Sequence, residues 1–235
     1  MNSKLSPSTI STIEGLLSGK PFSLCDAQNL INSVLARRDL KSGKLHGHFF
    51  YEIRPIFSVA LYLSAQQIAY LGLSKGYDGE IHLNDEQSIR IECTRAVEGH
   101  SEAIRMEHLE YFGRAPAWGA IKYINKRKNR IICEEPPSTR MVSGNQINQV
   151  AANHLISAFR RKAQNKKLQA NILIISFDDW DRAWLEDKDE FLGAFSVFQQ
   201  NIADENRFSR IFIVGDSQKF LWDSNHPNFI SYLSD

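Results

Sequence analysis

Residues 77–94 read YDGEIHLNDEQSIRIECT, and this stretch decides the fold of the region around it. Polar and apolar residues alternate on both sides of the polar loop 84–86, which is the pattern of a β-hairpin with one buried face. Because neighbouring residues of a strand point to opposite faces, the pattern also fixes the register of the two strands. The apolar residues of the buried face are Ile81, Leu83, Ile89 and Ile91.

The same register places Asp78 almost directly opposite Glu92 on the polar face, which they share with Glu80, His82, Arg90 and Thr94. Facing residues of neighbouring strands have Cβ atoms only about 5 Å apart. Like charges held so close repel each other unless a cation or a proton lies between them. Mg²⁺ binds carboxylate oxygens and keeps several waters, so we expect a divalent metal site here. The alternative is a solvated hairpin face that carries two acids by chance.

Composition describes an ordinary globular protein with no strong charge bias. Of the 235 residues 43% are hydrophobic and 23% charged, which is enough for a sizeable apolar core. Lys and Arg total 28 against 27 for Asp and Glu, which excludes a globally basic nucleic-acid binder but not a local basic patch. We predict an N-terminal helical region at 1–48 and one compact α/β domain at 49–235.

Cysteine spacing and hydropathy indicate the compartment. Cys25, Cys93 and Cys133 show no CxxC or Cys/His spacing, so neither a disulfide framework nor a zinc site is expected. The N-terminus has no apolar signal region, and no stretch reaches the ~18 continuous apolar residues of a membrane span. We therefore predict a reduced, cytoplasmic location without membrane association.

Hydrophobic periodicity outlines the remaining elements. Helices are predicted at 7–18, 24–38, 55–72, 100–112, 145–167 and 190–205, with Ser23 as the N-cap of the second. Further strands are predicted at 130–133, 171–177, 210–215 and 219–223, the last as an edge strand. The run 171–177 is continuously apolar, which is typical of a central strand buried on both faces. The order of elements predicts an α/β protein with a mixed sheet flanked by helices.

Clusters of cations suggest contact with nucleic acid. The candidates for phosphate binding are Arg90, Lys126, Arg127, Lys128, Arg160 and Arg161. Lys and Arg side chains of this kind neutralise backbone phosphates in protein–DNA complexes. The alternative is that these runs are solvated loop and helix faces.

The order of a helix, a hairpin bearing Asp and then Glu, a long helix and an Ile-rich strand resembles the PD-(D/E)xK nuclease superfamily, whose fold is restriction-endonuclease-like. Asp78 matches the first acid of the family motif, with Tyr77 in place of the proline, and Glu92 matches the second. Glu52 precedes the first helix of the pattern, where some members supply an additional acid to the metal site. The resemblance covers roughly residues 50–178.

The chain departs from the family at the motif's lysine, two residues after the second acid, where it has Thr94. In the family this lysine helps to orient or activate the attacking water and stabilises charge on the phosphate. A threonine hydroxyl offers neither a cation nor a base, which leaves Thr94 a water-orienting or supporting role. The cations that could substitute are Arg90, Arg95 and Lys162. Of these, the arginines stay protonated and cannot act as a base.

The resemblance implies a metal-dependent nuclease that hydrolyses DNA phosphodiester bonds, in restriction, repair or defence against foreign DNA. Its cofactor would be Mg²⁺ or Mn²⁺, held by Asp78 and Glu92, with Glu52 as a third acid, and it would work as a homodimer or with a partner protein. The alternative is a catalytically inactive member of the fold that acts as an interaction or regulatory subunit. The missing lysine favours that alternative, and the retained facing acids argue against it.

Overall fold

A computed structural model of the chain describes residues 19–35, 49–71, 76–96, 123–125, 130–132, 144–177, 188–216, 220–228 and 230–232. The helices predicted at 7–18 and 100–112 lie outside these residues. Within the described residues, no helix is both long enough and apolar enough to span a membrane.

Within the described residues, eight strands form one mixed sheet. In chain order they are β1 (Phe22–Ser23), β2 (Gln67–Tyr70), β3 (Gly79–His82), β4 (Ser88–Arg95), β7 (Ile172–Phe177), β8 (Arg210–Gly215), β9 (Phe220–Asp223) and β10 (Ile230–Tyr232). Strands β5 (Tyr123–Asn125) and β6 (Arg130–Ile132) form a separate antiparallel pair. The order of strands across the mixed sheet is β1-β2-β3-β4-β7-β8-β9-β10. The pairs β4–β7 and β7–β8 are parallel, and the other neighbours are antiparallel.

Four α-helices are described: α1 (Leu24–Leu35), α2 (Arg54–Tyr62), α3 (Gly144–Ala163) and α4 (Lys188–Ile202), with a turn of π-helix at Phe49–Ile53 directly before α2. Ser23 caps α1 as predicted, because its Oγ accepts a hydrogen bond from the Asp26 backbone N–H at 3.1 Å and donates one to the Asp26 carboxylate at 2.7 Å. Since β1 pairs with β2 and α1 packs on α2, the buried residues Ala27, Leu30 and Ile31 of α1 belong to the same core as the sheet.

The sheet separates two apolar cores. The core on one face combines α1 and α2 with strand residues that include Ile81, Ile91 and Ile174. The core on the other face combines α3 and α4 with residues that include Leu173 and Ile213. Strand β7 contributes to both cores and every one of its residues is buried, as its continuous apolar run predicted. The prediction of a mixed sheet flanked by helices is confirmed.

The predicted helix 55–72 is wrong in its second half. Helix α2 ends at Tyr62, and Ser64 takes a left-handed conformation with φ 53°, which turns the chain back toward the hairpin. Residues 67–70 then form β2, in which Ile68 pairs with Ile81. An apolar stripe such as Ile68 and Ala69 fits a helix or a strand, and the pairing with β3 decides between them because it satisfies the backbone hydrogen bonds of both segments.

The edges of the sheet also differ from the prediction. Strand β9 was predicted as an edge strand, but it lies between β8 and β10. Among the described strands the edges are the short strands β1 and β10, which the sequence pattern did not predict. Both have only two or three residues, too few for a periodicity to be recognised.

Candidate metal centre

The hairpin has the register predicted from its alternation. Gly79 pairs with Ile91 and Glu80 with Arg90, which brings Asp78 and Glu92, the next residues of the two segments, close together. The Asp78 backbone N–H donates at 2.9 Å to the carbonyl of Ile91, which is the partner of Gly79, so the strand pairing is irregular at Asp78. The predicted apolar face also holds: Ile81 and Ile91 are fully buried, while Leu83 and Ile89 pack on the same core at its margin.

Burial decides between a solvated face and a site. Asp78 is 8% exposed, Glu92 4% and Thr94 8%. Toward the hairpin loop the same face opens to solvent, since Glu80 is half-buried and Arg90 is exposed. The solvated-face interpretation is therefore correct only for the loop end and wrong for the two acids. Buried carboxylates are rare unless they are paired or bind a cation, because removing their charge from water is unfavourable.

Asp78 is fixed by a hydrogen bond across the hairpin. Its Oδ2 accepts from the Cys93 backbone N–H at 2.7 Å. Gly79 follows Asp78 at a point where α2 lies against the hairpin, and a Cβ on Gly79 would lie 2.8 Å from Ile56 Cδ1 and 2.8 Å from the Ala69 carbonyl oxygen. Because Gly79 has no side chain, α2 can lie close to the hairpin, together with the π-helical turn that carries Glu52.

Glu52 joins the acid pair from this turn. Its Oε2 accepts a hydrogen bond from the hydroxyl of Tyr70, a buried residue of β2. Glu52 is close enough to raise the pKa of both Asp78 and Glu92. Glu52 therefore lies near enough to the other two acids to act on them electrostatically, but the three do not form a group that could hold one metal ion together. Tyr70 was not predicted as a site residue, because residues 67–70 were assigned to a helix that would have pointed it elsewhere.

Electrostatics at the site favour the uptake of positive charge. Burial, followed by the charges of Glu92 and Glu52, raises the pKa of Asp78 from 3.8 to about 7, against the opposing effects of the Cys93 N–H and of Lys162. Burial also raises the pKa of Glu92, although the hydrogen bond and charge of Lys162 lower it. Neighbouring carboxyl groups with raised pKa values bind a proton or a cation readily, because their negative charges repel each other.

Lys162 places a positive charge beside Glu92. Its Nζ donates a hydrogen bond to Glu92 Oε1 from the last turn of α3. The other two possible substitutes are engaged elsewhere: the Arg90 guanidinium lies 5.3 Å from the centre of the Tyr77 ring, and Arg95 pairs with Asp216 at 2.6 Å. Of these three cations, Lys162 is the one that contacts a carboxylate of the Asp78–Glu92 pair.

Thr94 contacts a second cation of α3. Its Oγ1 accepts a hydrogen bond from Arg161 Nη2 at 2.9 Å, and the same nitrogen donates to the Arg95 carbonyl at 3.3 Å. Arg160, in contrast, donates from Nε to both Glu205 oxygens at 3.0 and 3.3 Å. The two neighbouring arginines were predicted to act alike, and the structure separates them. Lys126, Arg127 and Lys128 lie outside the described residues.

The donor set fits a hard divalent ion bound by two carboxylates. One oxygen of each ligand is engaged, Asp78 Oδ2 by the Cys93 N–H and Glu92 Oε1 by Lys162, which leaves Asp78 Oδ1 and Glu92 Oε2 as the metal-facing candidates. In the part of the chain that the structure describes, no group of three or more His, Cys, Asp or Glu side chains is arranged to hold a metal ion. A two-carboxylate site is the form that Mg²⁺ often uses, with water and substrate phosphate completing its coordination.

Comparison with known proteins supplies no family for the chain: no family model, no curated protein and no solved structure matches it.

Proposed function

We propose that the protein is a divalent-metal-dependent nuclease that hydrolyses DNA phosphodiester bonds. The observation that carries the proposal is the buried, neighbouring pair Asp78 and Glu92 with the Lys162 ammonium bonded to one of them. Two acids and a lysine are the functional groups of the PD-(D/E)xK motif, here with the lysine on α3 instead of β4. The order α2, hairpin, α3 and β7 is the order of elements on which that resemblance is based.

Each residue has a part in the proposed reaction. Asp78 and Glu92 hold Mg²⁺ or Mn²⁺, and Glu52 adds negative charge beside them. A divalent ion bound there supplies Lewis acidity toward the phosphate and a water of lowered pKa. Lys162 places a positive charge next to Glu92, where it stabilises the charge that develops on the phosphate in the transition state.

The distribution of the remaining groups is consistent with a phosphate-bearing substrate. Arg161 is exposed and lies beside Thr94, one pleat of β4 beyond Glu92. Arg90 is exposed on the same polar face of the hairpin. A basic rim around an acidic metal site suits a polyanion, because the cations attract the backbone while the metal engages one phosphate. A cytoplasmic location and a homodimer or protein partner remain predictions.

A cleavage assay with matched variants tests the proposal. Supercoiled plasmid and single-stranded DNA would be incubated with the purified chain in Mg²⁺, Mn²⁺ or EDTA. We expect cleavage that requires the metal, is reduced at least about a hundredfold in Glu92→Gln, and persists in Glu80→Gln. Both variants remove one negative charge from the same face of the hairpin, but only Glu92 contacts Lys162. Glu80 instead accepts a hydrogen bond from Tyr77 at 2.6 Å.

Two outcomes would contradict the proposal in different ways. Metal-dependent cleavage that survives in both Asp78→Ala and Glu92→Ala would mean that other residues, or a contaminant, perform the chemistry. Metal binding without cleavage of any substrate would favour the inactive interaction or regulatory subunit. That second function is also suggested by the Lys162–Glu92 ion pair, which partly neutralises the site without a metal.

A further inference from the structure

Two arginines adjacent in sequence have opposite surroundings at the end of α3. Arg160 is held by the Glu205 carboxylate on the side of α3 that faces α4. Arg161 lies on the side that faces β4, where it donates to Thr94 and to the Arg95 carbonyl. Within the described residues no acidic side chain pairs with Arg161. Its positive charge is therefore available to a ligand, whereas that of Arg160 is largely compensated.

The guanidinium of Arg161 is held in place by only part of its hydrogen-bond donors. One nitrogen, Nη2, makes both of its hydrogen bonds, and a guanidinium carries five N–H donors in a planar fork. Thr94 and the Arg95 carbonyl thus fix one nitrogen of the group, and the Arg161 residue as a whole is exposed. A fixed guanidinium with donors to spare is well suited to bind a phosphate in a defined orientation.

The position of Arg161 relative to the acid pair defines what it would bind. Thr94 lies two residues after Glu92 on the same face of β4, a separation of about 7 Å along a strand. Lys162 contacts Glu92 and Arg161 contacts Thr94, so two successive residues of α3 place their charges along β4 in the direction of the strand. A nucleic-acid strand that ran along β4 with its scissile phosphate at the acid pair would place its next phosphate near Arg161.

We infer that Arg161, positioned by Thr94, binds the phosphate that neighbours the scissile phosphate on the same strand. The inference rests on the proposed nuclease function and adds the substrate class: a polynucleotide with at least one further phosphate beyond the bond that is cut. It also gives Thr94 a role, since a lysine at this position would repel Arg161 instead of accepting its hydrogen bond.

The neighbouring arginines provide a matched test. Binding of a fluorescent DNA duplex would be measured by anisotropy over a range of salt concentrations, with Ca²⁺ in place of Mg²⁺, for the wild type, Arg161→Ala, Arg160→Ala and Arg161→Lys. Each neutralised phosphate contributes roughly −0.9 to the slope of log K against log salt. Arg161→Ala should therefore flatten the slope by about 0.9 and bind roughly eightfold more weakly at 0.1 M salt, with the difference vanishing near 1 M.

Arg160→Ala should leave the slope unchanged, and Arg161→Lys should keep it because the charge is retained. Melting temperatures of all variants would be recorded to show that each is folded. Equal slopes for the two alanine variants, with metal-dependent cleavage by the wild type, would overturn the inference and leave the proposed function standing. A wild type that binds no DNA at any salt concentration would overturn both.

Discussion

The pKa of Asp78 predicts that removing its charge stabilises the metal-free protein. A carboxyl whose pKa rises from 3.8 to about 7 on folding contributes stability that is fully present below about pH 4. This contribution is lost as the pH rises through 7, because the folded state then has to hold the charge. At 1.36 kcal/mol per pH unit, the loss at pH 8 is about 4 kcal/mol.

Asp78→Asn should recover much of this free energy at pH 8 in EDTA. The Asn side-chain oxygen can still accept the Cys93 N–H, so the variant removes the charge and keeps the hydrogen bond. For a domain of this size 1 kcal/mol shifts the melting temperature by roughly 2–4 °C, so a full recovery corresponds to about 8–16 °C. Differential scanning calorimetry at pH 8 and pH 4 would measure the shift.

The pH dependence and a control distinguish this mechanism from general effects of mutation. The difference between Asp78→Asn and the wild type should disappear at pH 4, where both are neutral at this position. Glu86→Gln removes the same charge from the exposed hairpin loop and should change stability by no more than about 0.5 kcal/mol. An Asp78→Asn variant that is no more stable than the wild type at pH 8 would refute the argument that the site is a strained, charge-repelling cluster.

Three further substitutions test the groups around the acids. Lys162→Met should lower kcat at least about a hundredfold and leave KM nearly unchanged, because the Lys162 charge acts in the transition state. Thr94→Lys should lower cleavage instead of restoring it, since the new ammonium would lie beside Arg161; a gain in rate would show that no cation yet fills the lysine's role. Tyr70→Phe should weaken metal binding about 10–100-fold in calorimetric titrations by releasing Glu52, and unchanged affinity would show that Glu52 is no part of the site.

The hairpin was predictable because its information is local. Alternation over residues 77–94 predicts both the face and the register, and the structure has the predicted register where residues 79–82 pair with 88–91. Burial of the acids was not predictable in the same way, because it depends on α2 and α3 covering the hairpin from the two faces of the sheet. Residues 67–70 were assigned to a helix for a related reason, since their strand conformation comes from pairing with β3.

The contact between Lys162 and Glu92 joins residues that are 70 positions apart. The sequence could include Lys162 among three candidate cations, but the choice depends on the rotation of α3 about its axis relative to β4. That rotation is set by apolar packing of α3, for example the burial of Leu155 and Phe159. Once the helix is docked, Lys162 and Arg161 face the strand and Arg160 faces Glu205, a distinction that a run of three cations does not reveal.

Direct measurement of metal binding tests the central claim, that Asp78 and Glu92 form a divalent metal site. Isothermal titration of Mn²⁺ into the wild type at pH 8 should show one site per chain. Asp78→Asn and Glu92→Gln should each abolish the binding heat, whereas Glu80→Gln, which alters the same hairpin face outside the buried pair, should retain it. A wild type that binds no Mn²⁺, or binding that persists in both Asp78→Asn and Glu92→Gln, would contradict the claim.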